Sequence, residues 1–499
     1  MNLIDINSAQ EALTLLFSQP QYWLVVIPGI MIGLFFGATP GLQTSMAMAI
    51  FLPMTLYMDF LQAMLFLTAI FTGGGFGAGV PAILMNIPGT SSAIATAFDG
   101  YPMAKQGKHN EALGLALGSS TFGVLLGYVL LFFLIKPMSM FVLKLGPSEM
   151  FIVILWGLTL IASLTGEYVI KGLIAGLFGL LVGTVGFSEA GVMRGTMDIE
   201  LLADGIPAIP AMMGMFAASE LFKLVKSEFL VEDEAKRKVR ISQILVGFKQ
   251  AFAYPVILIR GSIIGVLIGA VPGVGSSVSN LLSYIETKRR DKDPDSYGKG
   301  NPKGVVASEA ANSTSEAGSM ATLLALGIPG GGATAVMLAA FAMHNITGGP
   351  QFIREEMDIV YAIIFANFGQ VFLLIILGLL LIPVLASIIK VKMTYLVPSV
   401  LVLAVCGAFG LTGNMSGPIT VLVFAMIGWV FRRYNYSVPA AVIGMLLGSM
   451  AESSLVQTLQ ISGGDITYLF ERPITLVIMT LLLFSLFGTK LIKRFTKKA

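Results

Sequence analysis

The sequence predicts an all-α polytopic membrane protein with about 10–12 transmembrane helices. Of its 499 residues, 56% are hydrophobic and only 12% are charged, and the mean hydropathy is +0.85. Soluble proteins carry about 25% charged residues, so this composition excludes that class. Solid apolar segments recur along the chain, and roughly 20 apolar residues are enough to cross a bilayer as a helix. Examples are 124–135, 150–164, 359–389 and 474–488.

A duplicated segment is the second observation that predicts the fold. Residues 29–45 recur as residues 261–277, shifted by 232 positions, with eight of the seventeen positions identical. A second pair, 86–92 and 327–334, follows at a shift of 241. Each copy is interrupted by Pro-Gly, which breaks a helix because proline lacks the N–H donor. The pattern therefore predicts two repeats with Pro-Gly-broken or re-entrant helices, an arrangement typical of the binding sites of transporters.

The placement of charges predicts that the two repeats are inverted relative to each other. An excess of Lys and Arg marks cytoplasmic loops. The link 57–62 between the two motifs of the first copy has no basic residue, whereas the corresponding link 287–303 is strongly basic. After the second motif the bias reverses. The first copy carries Lys105 and Lys108 there, while 344–358 holds one Arg against three acids.

The repeated motifs and the placement of charges together divide the chain into four parts. Residues 1–222 are the first transmembrane repeat and 223–249 a charged cytoplasmic linker. Residues 250–393 are the second transmembrane repeat, and 394–499 are C-terminal transmembrane hairpins. Because the tail is rich in lysine, we expect the C-terminus to lie in the cytoplasm.

The first pair of motifs predicts a binding site for an anion. Backbone that is not helical at membrane depth survives only where it is buried in protein or lines a wet cavity. Small polar residues follow each break, and the N–H groups and dipole of a restarted half-helix attract an anion. A lone motif of this kind is more typical of a proline kink made for packing, but the duplication favours the functional interpretation. The predicted residues are Pro40, Gly41, Gln43, Thr44 and Ser45, and Pro272, Gly273, Gly275, Ser276 and Ser277.

The second pair of motifs extends this site. Carbonyl groups at unwound helix ends, together with Asn, Ser and Thr side chains, also coordinate Na⁺ in transporters. No other metal site and no catalytic site is predicted, because the zincin, nucleophile-elbow and ATPase motifs are missing from the sequence. The predicted residues are Asn86, Pro88, Gly89, Thr90 and Ser91, and Asn312, Ser313, Thr314, Pro329, Gly330 and Gly331.

Two acids and an amide are the candidates for coupling to an ion. An acid within a membrane segment is by default a proton or cation site, which selects Glu309 and Glu316, with Asn312 between them. The alternative for Glu309 is a solvated position at the end of the cytoplasmic loop. The four motifs contain no Lys or Arg, so backbone donors, hydroxyls and amides must hold an anion. No cofactor is expected beyond the coupling ion, Na⁺ or H⁺.

At these residues the chain resembles the large membrane subunit, of the TctA type, of the tripartite tricarboxylate transporters. The resemblance implies secondary uptake of a carboxylate across a bacterial or archaeal cytoplasmic membrane, driven by an ion gradient. It also implies two partners, a small membrane subunit and an extracytoplasmic solute-binding protein. The chain departs from the family pattern at Gln43-Thr44, 76–79 and Ser313-Thr314, so the resemblance does not identify the substrate as citrate. The resembling blocks are Gly37-x-x-Pro40-Gly41, Asn86-Ile87-Pro88-Gly89, Asp99-Gly100-Tyr101-Pro102, Asp204-Gly205-Ile206-Pro207, Pro272-Gly273-Val274-Gly275, Ser308-Glu309-Ala310-Ala311-Asn312 and Leu326-Gly327-Ile328-Pro329-Gly330.

These observations lead to one functional hypothesis and several alternatives. The hypothesis is ion-driven import of small organic anions by alternating access, with the motif-bearing helices moving against a scaffold. The alternatives are a stand-alone organic-anion carrier or an exporter that needs no binding protein, a channel, and a membrane-embedded enzyme or scaffold subunit. The lipid bilayer is the expected surrounding, and no nucleic acid is expected as a partner.

Overall fold

A computed structural model describes most of the chain. The described residues are 5–39, 42–142, 145–163, 169–187, 192–197, 199, 202, 205–219, 239–272, 275–388 and 393–483. Pro40, Gly41 and Gly273, as well as most of the predicted linker 223–249, lie outside them.

Helices dominate the described part of the chain, as the composition predicts. In the first half they are α1 (Ile6–Ser18), α2 (Gln21–Ala38), α3 (Thr44–Phe51), α4 (Phe60–Gly77), α5 (Gly79–Met85), α6 (Ile94–Lys105), α7 (His109–Val142), α8 (Pro147–Ser163), α9 (Val169–Gly183) and α10 (Ala208–Met213). The second half contains α11 (Ile241–Ala251), α12 (Pro255–Gly269), α13 (Gly275–Arg290), α14 (Pro302–Leu326), α15 (Gly332–Met343), α16 (Pro350–Glu355), α17 (Met357–Ile388), α18 (Met393–Thr412), α19 (Ser416–Arg433), α20 (Val438–Ile461) and α21 (Pro473–Leu483).

Short segments of other types connect these helices. Tight 3₁₀ turns cover Leu52–Tyr57, Ser91–Ala93, Pro294–Ser296 and Ile466–Phe470, and a π-helical turn, Gly214–Ala218, follows α10. In the described residues, β-structure is limited to an antiparallel pair of two-residue strands, β1 (Gly186–Phe187) and β2 (Met193–Arg194).

Fewer helices are long enough to span a bilayer than the hydropathy alone suggested. Among the described residues, five segments are long and apolar enough to cross a membrane. The pair α11 and α12, which is bent by 80°, would be a sixth span if the two helices are counted as one. Other apolar helices are shorter than a full crossing, α3 and α15 among them. The Pro-Gly breaks explain part of this difference, because they divide apolar segments into half-helices.

Several close contacts between helices are equivalent in the two copies. Gly33 of α2 lies against the carbonyl of Ile70 in α4, and Gly265 of α12 lies against the carbonyl of Ala311 in α14. These two contacts are related by the shifts of 232 and 241 positions that relate the motifs in the sequence. Because glycine has no side chain, the helix backbones touch at these positions, as in other pairs of membrane helices. Further equivalent contacts are Gly37 on Gly74 with Gly269 on Ser315, and Gly77 on Leu34 with Gly318 on Val266. The inverted orientation of the copies and the four-part division of the chain stay predictions.

Helices from outside the two motif pairs complete the bundle. Helix α20 packs on α8 and α9, where Gly179 and Gly183 lie against the backbone of Ala441 and Met445. Helix α20 also reaches α15. This places the C-terminal part of the chain beside the second motif of the second copy.

The basic loop between α13 and α14 is fastened to α6. The buried carboxylate of Asp99 accepts hydrogen bonds from the backbone N–H groups of Gly298, Gly300 and Asn301 at 2.8–2.9 Å, and from the hydroxyl of Tyr284 at 2.9 Å. Four donors satisfy this charge without a basic partner, so the loop is held against the first copy.

Candidate functional site

A cavity of about 200 Å³ lies where the restarted helices of both copies meet. A single water needs about 10–15 Å³ of such space, so the cavity accommodates a small molecule and not only an ion. Its wall residues are Gln43, Thr44, Ser45, Phe71, Gly75, Thr90, Ser91, Ser92, Phe216, Ser276, Asn312, Ser313, Glu316, Ser319, Gly331, Gly332, Ala333, Thr334, Pro439 and Ile443.

Four helix beginnings contribute to this wall. Helix α3 begins at Thr44, and the 3₁₀ turn that leads into α6 begins at Ser91. Helix α13 begins one residue before Ser276, and α15 begins at Gly332. The duplication therefore brings two starts from each copy to one cavity.

Two equivalent residues in the left-handed backbone conformation redirect the chain before these helix starts. Asn86 ends α5 with a φ of 60°, and Gly327 ends α14 with a φ of 69°. In each copy Ile-Pro-Gly follows, and proline prevents the helix from continuing. No side chain fits at Gly89, which lies directly on the carbonyl of Gly37. The motif thus fixes where the next helix begins.

The helix starts present donors to the cavity without a side-chain cap of their own. The N-cap residues are Gln43 for α3, Thr90 for the 3₁₀ turn and Gly331 for α15, and none has a side chain that accepts a capping hydrogen bond from the first helical turn. The first N–H groups of a helix have no partner within the helix, and they carry partial positive charge. Together with the surrounding hydroxyls, they form a wall that suits an anion.

Glu316 is the charged residue of the described wall. No lysine or arginine lines the cavity in the part of the chain that the structure describes. Glu316 has 3% of its surface exposed, and its Oε1 atom accepts hydrogen bonds from the Thr72 hydroxyl at 2.7 Å and the Tyr128 hydroxyl at 3.0 Å. Helices α4, α7 and α14 therefore meet at this carboxyl group.

Glu309 lies two turns earlier on α14, away from the cavity wall. It is fully buried, so it is not the solvated loop residue of the alternative hypothesis. Thr96 donates to its Oε1 atom at 2.5 Å, and Ser120 donates to its Oε2 atom at 3.0 Å. Asn280 joins this network, because its amide nitrogen donates to the hydroxyl of Thr96 at 3.4 Å, while its amide oxygen accepts from the backbone N–H of Ala95 at 2.9 Å. The network ties α6 and α7 to α13 and α14.

About half of the predicted site residues line the cavity together. They are Gln43, Thr44, Ser45, Thr90, Ser91, Ser276, Asn312, Ser313, Gly331 and Glu316. Others shape the chain without lining the cavity, namely Asn86, Pro88, Gly89, Pro272, Gly275, Pro329 and Gly330. Thr314 faces α7 and donates to the carbonyl of Ala310 at 2.5 Å, which explains its absence from the wall. Pro40, Gly41 and Gly273 and the side chain of Ser277 lie outside the described residues.

Several wall residues were not predicted. Ser319 lies three residues after Glu316 on α14, so helical periodicity could have identified it. Thr334 follows the Gly331 motif by three residues and accepts the N–H of Gly331 at 3.0 Å. Phe216 lies in Gly214-Met215-Phe216-Ala217, a block that also carries the family resemblance but was not predicted as part of the site. Pro439 and Ile443 come from a part of the chain that carries no repeated motif, and no sequence signal indicated them.

Comparison with known proteins gives two relatives from Agrobacterium vitis. One, described as an uncharacterized 52.8 kDa protein in the TAR-I ttuC' 3' region, is 31% identical over 447 residues, which cover 89% of this chain and 88% of that protein. The other, described as an uncharacterized protein in the TAR-II ttuC' 3' region, is 30% identical over 210 residues, 42% of this chain and 87% of that protein. No solved structure matches the chain significantly.

A family comparison accounts for most of the chain. The model described as the tripartite tricarboxylate transporter TctA family matches residues 23–443, an interval that holds the whole described cavity wall. The apolar helices agree with the multi-pass membrane proteins of this transporter family. The chain therefore belongs to the tripartite tricarboxylate transporter TctA family, as a large membrane subunit.

Proposed function

We propose that this protein imports small organic anions of the di- or tricarboxylate kind across the cytoplasmic membrane, driven by an ion gradient. It works as the large permease subunit, together with a small membrane subunit and an extracytoplasmic solute-binding protein. The observation that carries this proposal is the convergence of four helix starts on one cavity without a lysine or arginine among its described wall residues. Family membership supports a tripartite system but does not identify the substrate.

The size of the cavity favours a small substrate. Pockets for drug-sized ligands measure about 300–1,000 Å³, and this cavity of about 200 Å³ lies below that range. The wall is polar at the helix starts and apolar at Phe71, Phe216 and Ile443. A short carbon chain with a carboxylate at each end fits this division, because its carboxylates suit the polar helix starts and its carbon atoms suit the apolar wall.

The walls also fit alternating access. The cavity is bounded by both copies and by α20, so a movement of the motif-bearing helices relative to α20 exposes it first to one side and then to the other. Uptake against a gradient then requires that an ion move with the anion. Glu316 and Asn312 line the cavity and are the candidates, whereas Glu309, predicted together with them, lies away from the cavity wall.

An amide at the centre of the wall provides the test of the site. Asn312 lines the cavity and donates to the carbonyl of Gly75 at 3.1 Å. We expect Asn312→Ala to raise the KM for uptake of labelled succinate or citrate roughly three- to tenfold, the cost of one lost hydrogen bond. Uptake is measured in sealed vesicles that contain the membrane subunits, with the binding protein added outside.

The control is another polar residue on the same helix. Thr322 is buried on α14, donates to the carbonyl of Ser319 at 3.0 Å and does not line the cavity. Thr322→Ala is therefore expected to keep the wild-type KM. Unchanged uptake by Asn312→Ala at normal expression would contradict the assignment of the site. Uptake that persists without the binding protein would instead favour a stand-alone carrier.

A further inference from the structure

We infer that Glu316 carries the coupling proton, so that an anion enters the cavity only beside the neutral carboxyl group. This inference depends on the proposed anion uptake and names its coupling ion as H⁺. It rests on the position of Glu316 in the wall, on the geometry of its two donors and on the charges around it.

The hydrogen bonds of Glu316 leave one carboxyl oxygen for a proton. The hydroxyl groups of Thr72 and Tyr128, the two described donors, both donate to Oε1. A neutral carboxyl group can keep both bonds on Oε1 as its carbonyl oxygen and carry the hydrogen on Oε2. That O–H group then donates to a carboxylate in the cavity, and hydrogen bonds from O–H to a charged oxygen are short and strong. A proton needs only this one oxygen, whereas Na⁺ is coordinated by several oxygen atoms at once.

The ionised form of Glu316 excludes the substrate for an electrostatic reason. Two negative charges a few ångströms apart repel strongly where water is scarce. The helix starts attract the anion, but an ionised Glu316 would compete with it for the same positive ends. Protonation removes this competition and adds a donor, so the proton and the anion enter together.

Few other charged groups are in a position to change this behaviour. Tyr128 touches Glu316 directly, and Glu309 lies seven residues away on α14, about 10 Å along the helix axis. Helices α3, α4 and α15 carry no ionisable side chain. Helix α12 carries Arg260. Its neighbour Gly261 contacts Ala307, which lies nine residues before Glu316 on α14, so Arg260 is far from Glu316. The other charged groups on helices packed against α14 are His109, Glu111 and Lys136 on α7, Asp99 and Lys105 on α6, Glu286, Lys288, Arg289 and Arg290 on α13, and Arg354 and Glu355 on α16.

The transport step is a transfer of one proton without covalent chemistry. On the outside, Oε2 of Glu316 takes a proton from water and the anion binds to the O–H group and the helix starts. On the inside, the anion leaves first, and the carboxyl group then releases the proton to water. One proton therefore enters through this site for each anion.

Glu309 provides a matched control on the same helix. Its two oxygens each accept one hydroxyl hydrogen, and it does not line the cavity. Glu309→Gln keeps the size of the side chain. It therefore tests whether removing any buried acid of α14 abolishes the pH dependence of transport.

The experiment uses vesicles that contain both membrane subunits, with the binding protein outside and labelled succinate, malate or citrate as the probe. For the wild type we expect accumulation driven by an inward proton gradient in the absence of Na⁺, and anion exchange that declines as pH rises. Glu316→Gln should lose gradient-driven accumulation at least tenfold, yet its exchange should no longer depend on pH, since its amide always donates. Glu309→Gln should keep the pH dependence of exchange.

A second variant covers the case in which Glu316→Gln does not fold. Tyr128→Phe removes one donor to the carboxyl group, which favours the neutral form, so its exchange should persist to higher pH than that of the wild type. Accumulation by Glu316→Gln in a proton gradient would overturn the inference, as would an unshifted pH profile of Tyr128→Phe. Wild-type accumulation that needs Na⁺ and ignores the pH gradient would also overturn it but would leave anion uptake intact. Failure of the wild type to accumulate any of the three anions under either gradient would refute the proposed function itself.

Discussion

At the scale of residues, the buried polar groups of this protein divide into those that bind the fold together and those that face the cavity. Asp99 accepts hydrogen bonds from the loop before α14 and from Tyr284 of α13, and Glu309 accepts them from α6 and α7. Glu316 has similar donors but lies in the cavity wall. A buried acid therefore holds parts of the fold together in two places and lines the cavity in the third, because its surroundings differ.

Asp291 gives a pH-dependent prediction for the basic loop. Burial of its carboxyl group raises its pKa, but hydrogen bonds from Lys303 at 2.8 Å and Tyr297 at 2.8 Å outweigh this and lower the pKa of Asp291 to about 2. A carboxyl group with a lowered pKa stabilises the fold above its usual value near 3.8 and loses that effect as pH falls to about 2. We therefore expect cleavage of the loop 287–303 by pepsin to increase as pH falls from 4 to 2.

Two variants distinguish the effect of the Lys303–Asp291 ion pair from the effect of losing any positive charge, namely Lys303→Met and Lys299→Met. Lys303→Met removes a donor from Asp291, so the loop should be cleaved already at pH 4. Lys299 is exposed, and no described hydrogen bond or ion pair involves its side chain, so Lys299→Met should behave like the wild type. Equal cleavage of the two variants at every pH would contradict the role of this ion pair.

At the scale of elements, two half-helices place their first residues at the cavity. Helix α3 has eight residues and α15 has twelve, so neither crosses a bilayer. Both lie with their first residues at the cavity. A short helix concentrates unpaired N–H groups at one end without placing a fixed charge there, which attracts an anion and still lets it leave.

A new cap on α3 tests this use of a helix start. Gln43 is extended at the N-cap, with a φ of −96°, but its side chain makes no capping hydrogen bond. Asp or Asn at this position is expected to cap the helix and stabilise it by about 1 kcal/mol. Gln43→Asp should also lower anion uptake roughly tenfold or more, because its charge repels the substrate. Gln43→Asn, which caps without a charge, should lower uptake less.

Uptake and thermal unfolding of the purified protein are both measured for these variants. If Gln43→Asp and Gln43→Asn lower uptake equally, charge at the helix start does not matter and the electrostatic account of the site is wrong.

At the scale of the whole molecule, three parts of the chain share one cavity. Both copies contribute their helix starts, and α20 contributes Pro439 and Ile443. The close glycine contacts between α9 and α20 fix the position of this third wall. A substitution outside both copies is therefore expected to alter transport.

Ile443→Trp tests the third wall. The larger side chain reduces a cavity of about 200 Å³, so uptake of citrate should fall more than uptake of succinate. Ile461 lies on the same helix with 59% of its surface exposed, and Ile461→Trp should leave both rates unchanged. Equal effects of the two variants, measured as the ratio of citrate to succinate uptake, would exclude α20 from the cavity wall.

Much of the candidate site could be predicted because its signals are local. A Pro-Gly break and the polar residues after it define where a helix restarts, and ten predicted residues were found on one wall. Other predicted residues lie off the wall for local reasons. Gly89 lies on the backbone of Gly37 and Gly330 lies on Ser319, while Thr314 points from α14 to α7 and away from the cavity.

Hydropathy, proline and glycine act through neighbouring residues, so the helical membrane fold, the helix breaks and the equivalence of the two copies can be inferred from the sequence alone. The glycines of α2 and α12 that make equivalent contacts are related by the shift of 232 positions found in the sequence, and their partners on α4 and α14 by the shift of 241. Only the tertiary structure decided that Glu316 faces the cavity while Glu309 does not, and that α20 closes the wall. Those outcomes depend on how each helix is rotated about its axis and on which distant helix packs beside it, and no local pattern records either.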